Sequence, residues 1–85
     1  MNPEKILAQA RNNPKDVRFS DFVKLVEAFG FVQRRQSGSH RMFSHPGLPT
    51  IVNIQPRPDG KAKPYQVRDF LDDVDRLGLN LEDRT

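Results

Sequence analysis

No cysteine and no tryptophan occur in this 85-residue chain, and tyrosine occurs once. Without cysteine, neither a disulfide nor a thiolate metal site can staple the core, and nothing calls for an oxidising compartment. No run approaches the roughly 20 apolar residues of a membrane-spanning helix. The opening Met-Asn-Pro-Glu is not the basic segment and apolar run of a secretory leader, so a cytoplasmic protein is expected. Also missing are the GxxxxGK[ST] phosphate loop and the Cys/His spacing of a zinc finger, which removes both of those classes. A chain of this length makes one domain, residues 1–85, burying about 60% of the surface its unfolded form exposes.

What is present is a net charge of +3 with an uneven distribution. Residues 1–30 are close to balance, whereas residues 31–68 hold Arg34, Arg35, Arg41, Arg57, Lys61, Lys63 and Arg68 against Asp59 alone. Beyond residue 68 the balance reverses, with Asp69, Asp72, Asp73, Asp75, Glu82 and Asp83 facing Arg76 and Arg84. A basic middle segment is what a phosphate-contacting face requires; the plainer reading is ordinary solvated charge.

Asn2-Pro3-Glu4 reads as an N-cap, a first helical position and a carboxylate at the positive end of the dipole. A short helix to about Ala10 follows, ended by Asn12-Asn13-Pro14 because the residue before proline avoids the α region. Ser20 is a second N-cap candidate, with Phe19 placed to fold back on the first turn. Phe22, Leu25, Val26 and Phe29 recur with the period of a helix that buries one face, and Gly30 stands at a left-handed stop. Strands are expected over about 31–35, 40–45 and 50–55, the first two joined by a Gln36-Ser37-Gly38-Ser39 turn. Pro64 opens a last helix with Val67, Phe70, Leu71, Val74 and Leu77 as its stripe and Gly78 as its stop. The class is therefore α+β: a three-stranded antiparallel sheet with two helices on one face, order α-β-β-β-α, plus a short extra N-terminal helix.

Alternation puts His40, Met42 and Ser44 on one strand face and Arg41, Phe43 and His45 on the other. Phe43, Val52 and Ile54 are expected to point at the helices, leaving Ile51, Asn53, Gln55 and His40 on the open face. The two histidines then diverge, so they form neither an acid–base pair nor a shared metal site. The Asp69, Asp72, Asp73 and Asp75 group reads as a solvated helix face, with no His or Cys beside it, and no metal or other cofactor is expected. Histidine is the side chain whose charge changes near neutral pH. RNA brings its own nucleophile, the 2′-hydroxyl, so a site needs only an acid or base and cations for the developing charge. Arg34, Arg35, Arg41, Lys61 and Lys63 are the candidate cations, and Ser37, Ser39 and the Gly38 backbone candidate phosphate donors. On the residues alone, His40 reads first as a surface bystander and only second as a catalytic group, and His45 before Pro46 reads as a turn residue.

Helix, glycine and strand, then Ser37-Gly38-Ser39-His40 leading into Arg41-Met42-Phe43-Ser44-His45-Pro46, then a third strand and a helix, resembles the HicA family of toxin–antitoxin ribonucleases. The likeness spans roughly residues 19–78, with 1–18 as an extension and 79–85 as a tail. It implies a double-stranded-RNA-binding-domain-like fold, an mRNA interferase activity and a HicB-like antitoxin partner. It makes His40, the histidine of Gly38-Ser39-His40, the catalytic group. Three departures stand out: the helix near residues 3–10 precedes the usual family start, Asn53-Ile54-Gln55-Pro56 replaces a Val-Pro-type strand end, and the last helix is acidic rather than basic.

Two readings thus compete. One is a metal-independent endoribonuclease toxin acting on mRNA through His40. The alternative is a non-catalytic RNA-binding module or antitoxin-interaction domain, gripping A-form backbone by shape. Phe31 is the only candidate for base stacking on the open face, so RRM-like single-strand reading is not expected.

Overall fold

The computed structural model describes residues 1–82, and the tail residues 83–85 lie outside the described residues. Three helices and three strands follow in the order α1 (Pro3–Asn12), α2 (Phe19–Ala28), β1 (Val32–Ser37), β2 (His40–Ser44), β3 (Ile51–Ile54) and α3 (Pro64–Leu77). This is the expected α+β class, with the extra helix in front.

Each helix has a local cause. The Asn2 side chain caps α1 by accepting the Lys5 N–H at 2.9 Å, with Pro3 at the first helical position. Helix α1 runs two residues past Ala10, because Pro14 restricts only Asn13, which takes the non-helical cap position. Helix α2 begins at Phe19 and not after Ser20. Its first N–H is satisfied by the Gly60 carbonyl at 3.0 Å, so no hydroxyl cap is needed and Phe19 itself is drawn inward. Gly30 (φ +94°) and Gly78 (φ +66°) end α2 and α3 in the left-handed region as expected. At Gly30 a side chain also has no room: a Cβ there would meet His45 Nε2 at 2.9 Å and Glu82 Oε2 at 3.0 Å.

The sheet is antiparallel in the order β1-β2-β3, which leaves β1 and β3 as edges. The β1–β2 connection is tighter than expected: Ser37 pairs with His40, so the turn is Gly38-Ser39 alone. Gly38 has φ +59°, the positive value that the first position of a two-residue type II′ hairpin demands. From that turn, Gln36 faces Arg41 and Arg35 faces Met42, but Gln33 and not Arg34 faces Phe43. Arg34 is therefore the extra residue of a β-bulge. In a regular ladder Arg34 would oppose Phe43 on the helix-packed face; the bulge spares the core that charge.

Phe43, Val52 and Ile54 join Phe22, Leu25, Val26, Val67, Phe70 and Val74 in one buried cluster, so the helices cover that face of the sheet. Phe70 is its centre, meeting the rings of Phe22, Phe29 and Phe31 edge-on at 5.7–5.8 Å. Ile6 and Ala10 of α1 are fully buried in the same cluster. Arg11 adds a two-pronged contact to Asp75 on α3, at 2.8 and 3.1 Å. The extension thus belongs to the core. On the other side of the sheet, Ile51, Asn53 and His40 are exposed, and β1 is exposed at every position.

Candidate nucleic-acid interface

His40 is the first residue of β2, reached directly from the Gly38-Ser39 turn, and its side chain is exposed. Its partner across the ladder is Ser37, so both stand on the open face. The turn lies at the end of the sheet where α2 and α3 begin, as a chain of contacts establishes. Arg41, beside His40, holds its guanidinium 5.5 Å from the centroid of the Phe19 ring, at the start of α2. Phe19 bonds Gly60, next to Lys61, and Lys63 is the N-cap residue of α3. Arg41 also pairs with Ile54; Gln55, which follows Ile54, gives its N–H to Gln66 Oε1 at 3.1 Å. One end of the molecule therefore gathers the hairpin turn, His40, Arg41, Lys61, Lys63 and two helix N-termini, whose dipoles add positive potential.

The nine candidate residues do not form a single cluster. Ser37, Gly38, Ser39 and His40 are contiguous at the turn. Arg41 is close in sequence but points to the helix side, half-buried against Phe19. Lys61 is engaged by Asp16 at 2.8 Å, and the same contact holds the Asp16 carboxyl below the usual range. Arg57 is likewise tied to Asp59, whose pKa falls to about 2 through the Arg57 hydrogen bond and then the Lys61 N–H. Of the basic middle segment, Arg57 and Lys61 thus have their charge met within the fold. Lys63 makes no ion pair among the described residues.

Arg34 and Arg35 stand apart, further along the open face. With Met42, Ser44 and Ile51 they line a shallow depression of about 290 Å³, and Arg34 Nε donates to Ser44 Oγ at 2.8 Å. His45 is a turn residue: its Nδ1 accepts the Gly47 N–H at 3.1 Å and its ring packs edge-on to Phe31 at 5.2 Å. Phe31 is 2% exposed, which removes it as a stacking surface. The exposed ring is Tyr65 on the first turn of α3, 53% accessible; reading α3 for its buried stripe alone passed over it. In the acidic helix, Asp75 is held by Arg11 and Asp73 by Arg76.

The fold thus places an exposed histidine on a tight turn at the cationic end of an α-β-β-β-α domain. Residues 19–75 match the family described as HicA toxin of bacterial toxin–antitoxin, and the chain belongs to that family. It is therefore a toxin-side component of a toxin–antitoxin pair, with an antitoxin partner and an RNA target as the family's general features. The match begins at the first residue of α2, so α1 lies outside it. Comparisons with curated proteins and with solved structures return no match. Among the described residues no helix is long and apolar enough to cross a membrane.

Proposed function

We propose that the chain is an mRNA-cleaving endoribonuclease that works without a metal ion, with His40 as its acid–base group. The observation that carries this reading is the position of His40. It is exposed, follows a two-residue turn with positive φ at Gly38, and stands at the sheet end where both helices begin.

In the proposed reaction the 2′-oxygen of the RNA attacks the adjacent phosphorus and loses its proton, while the P–O5′ bond breaks and the 5′-oxygen gains one. The products are a 2′,3′-cyclic phosphate and a 5′-hydroxyl. His40 serves one of these proton transfers and solvent the other. Arg41 and Lys63, with the Ser37 and Ser39 hydroxyls and the turn amides, offset the charge growing on the non-bridging oxygens. Lys61 contributes less, because Asp16 already holds it. Arg34 and Arg35 lie away from the turn and take no part in bond breaking. A HicB-type antitoxin as partner and the cytoplasm as the place of action complete the proposal.

The test is cleavage of a labelled, unstructured RNA by the parent chain and by His40→Ala, both with EDTA present. A loss on the order of 10²-fold or more in the variant, with cyclic-phosphate ends from the parent, is expected. Magnesium dependence, or equal cutting by the variant, would refute it. If neither chain cuts while both bind RNA with steep salt dependence, the domain is a binding module.

A further inference from the structure

The open side of the β1–β2 hairpin has features that the RNA reading does not use. β1 is an edge strand, exposed from Val32 to Ser37, with no strand on its outer side among the described residues. The pair that closes a two-residue hairpin, here Ser37 and His40, is hydrogen bonded. Its neighbour Gln36 therefore turns its backbone N–H and C=O to the free edge. Beside that edge the bulge sets two consecutive arginines, Arg34 and Arg35, around one depression with Met42, Ser44 and Ile51. Neither arginine is in an ion pair among the described residues. Two aliphatic side chains are left in water alongside: Ile51 is 62% and Val32 43% exposed.

We infer that the β1 edge docks an extended segment of a partner protein, one whose alternate side chains on the open face of the sheet are carboxylates. The segment adds a fourth strand to the sheet, its backbone meeting Gln36 and its carboxylates meeting Arg34 and Arg35. Alternation turns its other side chains to the opposite face of the sheet, away from the two arginines. This rests on the toxin–antitoxin pairing of the family and not on the chemistry of His40, and the segment's source is the antitoxin.

Charge selects this occupant over a second copy. Two β1 strands paired antiparallel about their centres would set arginines against arginines, and like charges directly opposite destabilise a strand pair. RNA would satisfy the guanidinium groups but not the free backbone N–H and C=O of Gln36, and among the described residues this face offers no exposed phenyl or phenol ring on which a base would stack. A strand added at the usual spacing of about 4.8 Å runs on past Ser37 to the turn. It would therefore crowd the RNA path beside His40, which makes docking here a route to inhibition.

The experiment uses the full chain carrying His40→Ala, isotope-labelled for amide NMR. It is titrated separately with a nine-residue peptide alternating valine and glutamate, with the same peptide bearing lysine for glutamate, and with oligouridylate. The glutamate peptide is expected to shift the Arg34, Arg35 and Gln36 amides and to slow exchange of the Gln36 N–H. Arg34→Glu/Arg35→Glu should weaken that peptide on the order of tenfold and favour the lysine peptide. No shift along β1 at millimolar peptide overturns the inference, as do equal effects from both peptides. Oligouridylate shifting Arg34 and Arg35 where the peptide does not would also overturn it, assigning the depression to RNA. Because the labelled variant lacks the proposed catalytic group, these outcomes are independent of whether the parent chain cuts RNA.

Discussion

Replacing Ile6 by alanine tests whether the N-terminal extension is structure or appendage. Ile6 is 0% exposed and packs with Ala10 against the helices of the family core, although α1 lies outside the family match. The change removes three carbons, about 2.4 kcal/mol at about 0.8 kcal/mol per buried methylene. The cavity left behind raises the cost to about 3 kcal/mol. A domain of this length holds about 4–13 kcal/mol in total, so the loss is a large share. At about 4–8 °C per kcal/mol it corresponds to a fall in Tm of about 12–24 °C. The assay is urea unfolding followed by circular dichroism, with Ala8→Ser on the exposed side of α1 as a control expected within about 0.5 kcal/mol. One cooperative transition displaced by the expected amount makes α1 part of the folding unit. A change below about 1 kcal/mol, or a separate early transition for α1 with the rest unmoved, refutes the reasoning. The Arg11–Asp75 pair cannot supply such an effect, because both side chains are about half exposed and such pairs give at most about 1 kcal/mol.

Gly38→Ala should cost about 1 kcal/mol, a Tm shift of about 4–8 °C, and Gly38→Asn less. The space around Gly38 is open, so the positive φ is the sole penalty; a neutral Gly38→Ala in a thermal melt would contradict it. Acid should destabilise the fold through Asp59, Asp16 and Asp75, all of which hold carboxyls below their ordinary value in the folded chain. Their contribution is complete above the unfolded carboxylate value near 3.9 and disappears as pH falls, for Asp59 through about 2. Asp59→Asn should flatten that part of a stability-against-pH curve, and an unchanged curve would count against the Arg57–Asp59 contact.

Helix boundaries set by backbone chemistry were legible in the sequence: Asn2-Pro3, Gly30, Pro64 and Gly78 act where their side chains require. Phe43, Val52 and Ile54 were legible as the inward set, since alternation survives on any pleated strand. Two features escaped for want of register. Ser37 belongs to β1 because only Gly38 needs positive φ, which shortens the turn to two residues. That shorter turn would bring Arg34 opposite Phe43, and the bulge that avoids it appears only when the ladder is counted back from Ser37. At the start of α2, the cap is a carbonyl forty-one residues away, Gly60, which no local motif announces. The exposed histidine on its turn was legible in the sequence as a candidate site, whereas the engagement of Lys61 by Asp16 depends on chain segments that meet only in the fold.

From Val32 through His40 the chain is exposed without interruption. Apart from Arg34 on Ser44 and Gln36 on the Gly38 carbonyl, no side-chain hydrogen bond holds it among the described residues, so the hairpin tip is kept in shape mainly by the rungs of its ladder and by one glycine. Opening it sacrifices backbone hydrogen bonds but almost no apolar contact, and such segments separate from the body at far less free energy than global unfolding. The histidine is thus mounted on a hinged lever while its cationic neighbours Arg41 and Lys63 are fixed to the rigid frame. How often the lever is closed sets how often the parts of the proposed site are assembled.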